Sequence, residues 1–156
     1  MSLFESLSWE PLFHMKLDVA YARAQMIGGE SKRGIFPVDG GVFEGPAMRG
    51  IVLPEGADWV SWRQDGTMVI DVRTALQTDD GALISMQYQG ICYPTSPEAA
   101  ERFARREPGP PEDLYLRTTP RFETQHPKYE WLNRIVAVAN GMRTDEGPMY
   151  QVFRVL

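Results

Sequence analysis

The residues best suited to chemistry in this sequence stand on alternate positions of two extended stretches. From Thr67 to Gln77 one side carries Val69, Asp71, Arg73 and Gln77, and the other Met68, Ile70, Val72 and Leu76. From Asp113 to Glu123 one side carries Tyr115, Arg117, Thr119, Arg121 and Glu123, and the other Leu114, Leu116, Thr118 and Phe122. A period of two is that of a β-strand, so each stretch has an apolar face and a face of arginine, acid and tyrosine. Arginine's planar fork holds a carboxylate through two parallel bonds, and a tyrosine or a carboxyl perturbed by burial moves protons. Two orientations are compatible with the pattern. In one the charged rows face water, as in any half-buried strand. In the other they line a lumen, where Asp71 with Arg73, and Arg117 and Arg121 with Glu123, satisfy one another.

Other residues add to this set. Glu44, inside GGVFEGP, lies between glycines that permit close backbone approach, and is a candidate general acid or base. The two histidines, His14 and His126, belong to no HxH or HExxH spacing and have no cysteine cluster beside them, so no metal site is expected. Cys92, the single cysteine, has no cationic neighbour in sequence and reads as an inert thiol. No serine sits in a GxSxG elbow, and Gly40-Gly41 opens neither GxGxxG nor GKS/T, so no nucleotide or other cofactor is expected. Trp59, Trp62, Tyr88, Tyr93, Tyr115, Tyr129 and Trp131 offer flat walls with polar tips, suited to stacking on a planar substrate.

The elements that must position these groups are short and extended. Asp65-Gly66 and Asp79-Asp80-Gly81 are hairpin turns, because such turns need positive φ. They join strands Trp59 to Gln64, Thr67 to Gln77 and Ala82 to Cys92 into an antiparallel meander. Before them come Leu7 to Tyr21, Lys32 to Val38 and Val42 to Leu53, with LPEGADW as a loop. After them come Leu114 to Thr124, Leu132 to Asn140 and Met149 to Val155, with a helical turn in HPKYEWLN. One helix interrupts the pattern from Ser96 to Glu107, with Ser96 as N-cap, Pro97 in the first turn and a Pro108-Gly109-Pro110-Pro111 stop. Eight to ten strands with one late helix predict a closed barrel, which at about eight strands has room for one small ligand.

The 156 residues suit one domain, 1–156, with 43% hydrophobic and 24% charged residues. A net charge of -5, with arginines interleaved among acids, argues against a nucleic-acid partner. No apolar stretch is long enough to span a bilayer, and MSLFESLSWEPLF lacks the basic start of a signal peptide, so a cytoplasmic protein without a membrane partner is expected.

Several strings, in this order, resemble the DUF3237 (UPF0311) family: GGVFEGPAMRGIVLPEGADW, RQDGTMVIDVRTALQTDDGALI, YLRTTPRFET and YEWLNR. The likeness runs from about Leu7 to Leu156, with Glu55 standing where the family's LPGGxDW-like loop has glycine. It implies a β-barrel of the allene-oxide-cyclase-like, lipocalin-related kind, occurring as a homodimer or other homo-oligomer. It favours the inward orientation of Asp71, Arg73, Tyr115, Arg117, Arg121 and Glu123. It further implies a cofactor-free lyase acting on a small aromatic acid, most sharply a decarboxylase of lignin-derived biaryl, phenylcoumaran-type acids in aromatic catabolism. On that reading Glu44, Asp71, Arg73, Tyr115 and Glu123 act in catalysis, while Arg117, Arg121, Tyr88, Tyr129, Trp131 and Trp59 hold the substrate. A non-catalytic lipocalin-like binding protein, and an isomerase or cyclase of the same barrel type, are the alternatives.

Overall fold

The computed structural model describes residues 2–156. Ten strands form one sheet: β1 (Trp9–Val19), β2 (Gln25–Gly28), β3 (Arg33–Glu44), β4 (Arg49–Val52), β5 (Gly56–Trp62), β6 (Met68–Thr78), β7 (Leu83–Pro94), β8 (Leu114–Glu123), β9 (Val136–Arg143) and β10 (Pro148–Val155). The order β1-β10-β9-β8-β7-β6 continues through β4 and β5 to β3, and β3 pairs back onto β1, closing a cylinder. β4 and β5 are two halves of one stave, since both lie between β3 and β6. The barrel therefore has eight staves, with β2 as an outlying hairpin partner of β3. The expected closed antiparallel barrel of about eight strands is the observed fold.

The Asp-Gly turns fall where their chemistry requires, with Gly66 at φ 86° and Gly81 at φ 88°. One boundary differs from expectation. Lys32 to Val38 and the start of Val42 to Leu53 form a single strand, β3, that bends at Gly40-Gly41. Its first half pairs with β5 and its second with β4, so the bend is a corner of the barrel. A Cβ on Gly41 would lie 2.1 Å from the Lys16 carbonyl oxygen, so only glycine lets β1 and β3 approach there. The chain breaks instead at Gly45, whose N–H donates to the Met48 carbonyl at 2.8 Å.

The helix is α1 (Pro97–Ala104), shorter than expected but capped as expected, with the Ser96 hydroxyl accepting from the Ala99 N–H at 3.0 Å. The turn in HPKYEWLN extends to a 3₁₀ segment, Pro127–Arg134, and β9 starts later in consequence. No helix among the described residues is long and apolar enough to cross a membrane.

Alternation decides the inside of the cylinder. β8 alternates strictly, with Leu114, Leu116, Thr118, Pro120 and Phe122 buried and Tyr115, Arg117, Thr119, Arg121 and Glu123 exposed. On β6, Ile70, Val72, Thr74 and Leu76 are buried and Arg73 is exposed. At one end the interior is solid: Phe13 lies 5.3 Å from Phe43 and 6.0 Å from Phe122, ring centre to centre, with Met15, Leu76, Ile84, Met86 and Leu132 packed into the same core. The other end is hollow.

Candidate functional site

The hollow end holds a cavity of about 190 Å³, walled chiefly by apolar side chains such as Leu17, Val38, Ile70, Leu116 and Phe103 of α1. An apolar cavity of about 150 Å³ accepts benzene, so this one suits a single ring with short substituents. Its few polar groups are Asp58, Tyr21, Tyr88, Tyr150, Cys92, Arg106 and Arg143.

Asp58 enters from β5, whose inward row is Asp58, Val60 and Trp62. β5 and β6 pair at Asp58↔Val72 and again at Ser61↔Val69, with nothing paired between. The Asp58 carboxylate fills that gap, its Oδ1 accepting the Asp71 N–H at 3.0 Å. The side chain is surrounded by packed residues, and the surface it retains faces the cavity. Burial pushes its pKa up to about 7; the Asp71 N–H opposes that rise, and the charge of Asp71 adds to it. A carboxyl in this state holds or releases a proton near neutrality, where an exposed one is fully ionised.

Two phenols share the site. Tyr88 of β7 and Tyr150 of β10 lie 5.3 Å apart, nearly edge to face. Burial raises the pKa of both, keeping them neutral donors. The Tyr88 hydroxyl is buried with no hydrogen-bond partner among the described residues. A buried unpaired hydroxyl is costly, and a ligand oxygen or nitrogen reaching it recovers that cost. The Cys92 thiol is pushed up to about 12 by burial, which leaves it unreactive. Among the described residues no three His, Cys, Asp or Glu side chains come together as a metal site.

Of the residues given a catalytic or substrate-holding role from the sequence, Tyr88 is the one that lines this cavity, and Trp62, among the expected aromatic walls, and Cys92 line it as well. Arg117, Arg121, Tyr115 and Glu123 are exposed on the outer wall of β8, and Asp71 and Arg73 share the outer wall of β6. This corrects the expectation that they face inward. None of the expected ion pairs among them forms; Arg117 instead lies over the Tyr115 ring at 4.7 Å. Enclosing so many charges costs far more than leaving them in water, while the opposite faces supply an apolar lining. Glu44 is exposed at the closed end, beside the turn before Arg49. Tyr129 is buried at that end too, its hydroxyl donating to Asp80 Oδ1 at 2.9 Å. Trp131 is half-buried under the Arg154 guanidinium, and Trp59 points outward, 52% exposed.

Asp58 lies in LPEGADW, which reads as a loop from its Pro and Gly. The strand begins at Gly56, and its alternation puts Asp58 on one face with Val60 and Trp62. Arg143 lies beyond the expected end of its strand, and Tyr21 in a 3₁₀ turn with no period to read.

A closed eight-stave antiparallel barrel with a small, mostly apolar cavity holding one perturbed acid defines the class: a β-barrel with an internal cavity. The chain belongs to the DUF3237 family, whose model, described as a protein of unknown function, matches residues 7–155. A UPF0311 protein of Rhodopseudomonas palustris is 36% identical over 128 residues, 82% of this chain and 83% of that one. A β-barrel-like protein of Acinetobacter baumannii superposes with a TM-score of 0.83 at 37% identity, covering 97% of both chains. An enzyme from Penicillium herquei superposes with a TM-score of 0.71 at 21% identity, over 96% of this chain and 95% of its own, a likeness of fold.

Proposed function

We propose that this protein is a cofactor-independent enzyme whose Asp58 transfers a proton to or from a one-ring organic substrate held in the barrel. The observation that carries this reading is a carboxyl poised near neutrality inside a cavity that is otherwise apolar and aromatic. General acid–base catalysis of this kind contributes about 10²–10⁴-fold. Tyr88 and Tyr150, as neutral donors, polarise a carbonyl or phenolic oxygen, and the apolar walls exclude water.

A lyase is the sharper form of the proposal, with decarboxylation of an aromatic ether acid as its most specific case. The carbon–carboxyl bond pair becomes a new C=C bond, CO2 leaves, and the adjacent C–O pair departs on oxygen, which takes the Asp58 proton. Water then returns a proton to Asp58. The cavity limits this case, since only one ring of a phenylcoumaran-type acid fits within about 190 Å³ and the other must stand in the mouth.

The outward charged rows and the oily interior favour a second reading, a binding protein without turnover. Two measurements separate them. Carboxyl NMR should show Asp58 titrating near 7, and a value near 4 would sink the acid–base reading. A mass-spectrometric screen of one-ring and aryl-ether acids should find a converted compound whose turnover Asp58→Asn lowers by about 10²–10⁴-fold. A binding protein converts none, and Asp58→Asn leaves its ligand affinity in place.

A further inference from the structure

With Arg117 and Arg121 on the outer wall, an acidic substrate needs another counter-charge, and the mouth of the cavity supplies it. Arg143, at the end of β9, is half-buried on the cavity wall. Its guanidinium lies 5.4 Å from the Tyr21 ring centre and 5.3 Å from that of Phe103. Its Nη1 donates to the Phe103 carbonyl at 3.2 Å, tying it to the last turn of α1. Its Nε is buried with no partner among the described residues, while the Tyr21 hydroxyl lies within hydrogen-bonding reach of the guanidinium. Nε and Nη2 form the edge on which a carboxylate is held by two parallel bonds. Arg106, just past α1 at φ 56°, also lies against Tyr21, its guanidinium 4.8 Å from the ring centre. Neither arginine forms an ion pair among the described residues, although the chain carries 21 acids.

The half-buried, unpaired Arg143 at the rim of an apolar cavity costs free energy that an anion recovers. Burial lowers the pKa of Arg143, which is the mark of a cation held without its counter-charge. At the surface of an acidic protein, long-range attraction does not draw anions in, so a local receptor must select them.

We infer that Arg143 and Arg106 form a carboxylate receptor at the cavity mouth, so that the ligand is a one-ring aromatic carboxylate lying with its acid group against α1 and its ring pointing inward. The inference rests on the cavity's being the ligand site proposed above, and adds which group of the ligand faces outward. Tyr21, close to both guanidiniums, forms the floor of the receptor, and Phe103 its wall.

The test compares benzoate with benzamide, which matches it in shape but carries no charge, by isothermal titration of the purified chain. Benzoate should bind at least about tenfold more tightly, the scale of one charge-assisted bidentate contact. Arg143→Met should abolish the preference, so that benzoate binds no more tightly than benzamide. Arg106→Gln, at an exposed position that folding tolerates, should reduce it about threefold. Equal binding of the two probes, binding of neither at millimolar concentration, or a preference that survives both substitutions overturns the inference. If Arg143→Met does not fold, an unchanged preference in Arg106→Gln is sufficient to overturn it. Asp58→Asn separates this from the proposed chemistry, since it should keep the benzoate preference. A chain that selects benzoate but titrates Asp58 near 4 sinks only the acid–base reading. One that titrates near 7 but binds both probes alike sinks only the receptor.

Discussion

At the closed end of the barrel Phe13, Phe43 and Phe122 meet in a packed core that includes Tyr129 and Leu132 of the 3₁₀ segment, whereas at the mouth Asp58 of β5, Tyr88 of β7, Tyr150 of β10 and Arg143 of β9 surround a void. The closed end holds an acid that is well satisfied. Asp80 accepts from Lys128, Tyr129 and Thr78, bonds that hold its carboxyl far below the usual range. At the mouth, Tyr88 and Arg143 carry buried atoms with no partner. The difference separates stability from function within one sheet: the solid half supplies cooperativity, and that surplus tolerates strain in the hollow half.

The largest expected effect comes from removing the aromatic plug. Phe13→Ala should lower stability by about 3–5 kcal/mol in urea unfolding, the usual cost of a large cavity in a packed core. Leu116→Ala, on the wall of the existing void, should cost nearer 2 kcal/mol, because its neighbours already border empty space. Equal costs would erase the distinction between the two ends.

Asp58 sharpens it through pH. Its folded pKa, about 7, lies above its ordinary value of 3.8, so between them the folded chain holds a proton that the unfolded chain has released. Stability is therefore full below that window and falls as pH rises through it, by up to about 1.4 kcal/mol per pH unit, then levels off. Asp58→Asn should remove this slope. Unfolding midpoints from pH 4 to 9 for both proteins decide it, and an unchanged slope would place the proton elsewhere.

The smallest effect lies at the joint between β4 and β5. Glu55 adopts left-handed backbone at φ 79°, a conformation that favours glycine. Glu55→Gly should raise stability by about 0.5–1 kcal/mol, relief of side-chain strain outweighing the added freedom of the unfolded chain. Thermal unfolding measures it. A loss would mean that the Glu55 side chain supports the turn.

Much of the scaffold is legible in the residues themselves. Asp-Gly pairs demand their turns, Ser96-Pro97 starts a helix, and strict alternation on β6 and β8 marks two-faced strands. Those signals are local, with periods and turn chemistry set by a few neighbouring bonds. Which face of an alternating strand looks inward is not local. It depends on closure of the sheet, and closure puts the apolar rows inside because enclosing Arg117, Arg121 and Glu123 costs more than any pairing among them returns. The site itself is less local still. Asp58, Tyr88, Tyr150 and Arg143 come from four separate strands and meet only because β3 pairs back onto β1. The amino-acid order thus determined strands, turns and helix, and the closed cylinder alone decided which acid is taken out of water and given a pKa fit for chemistry.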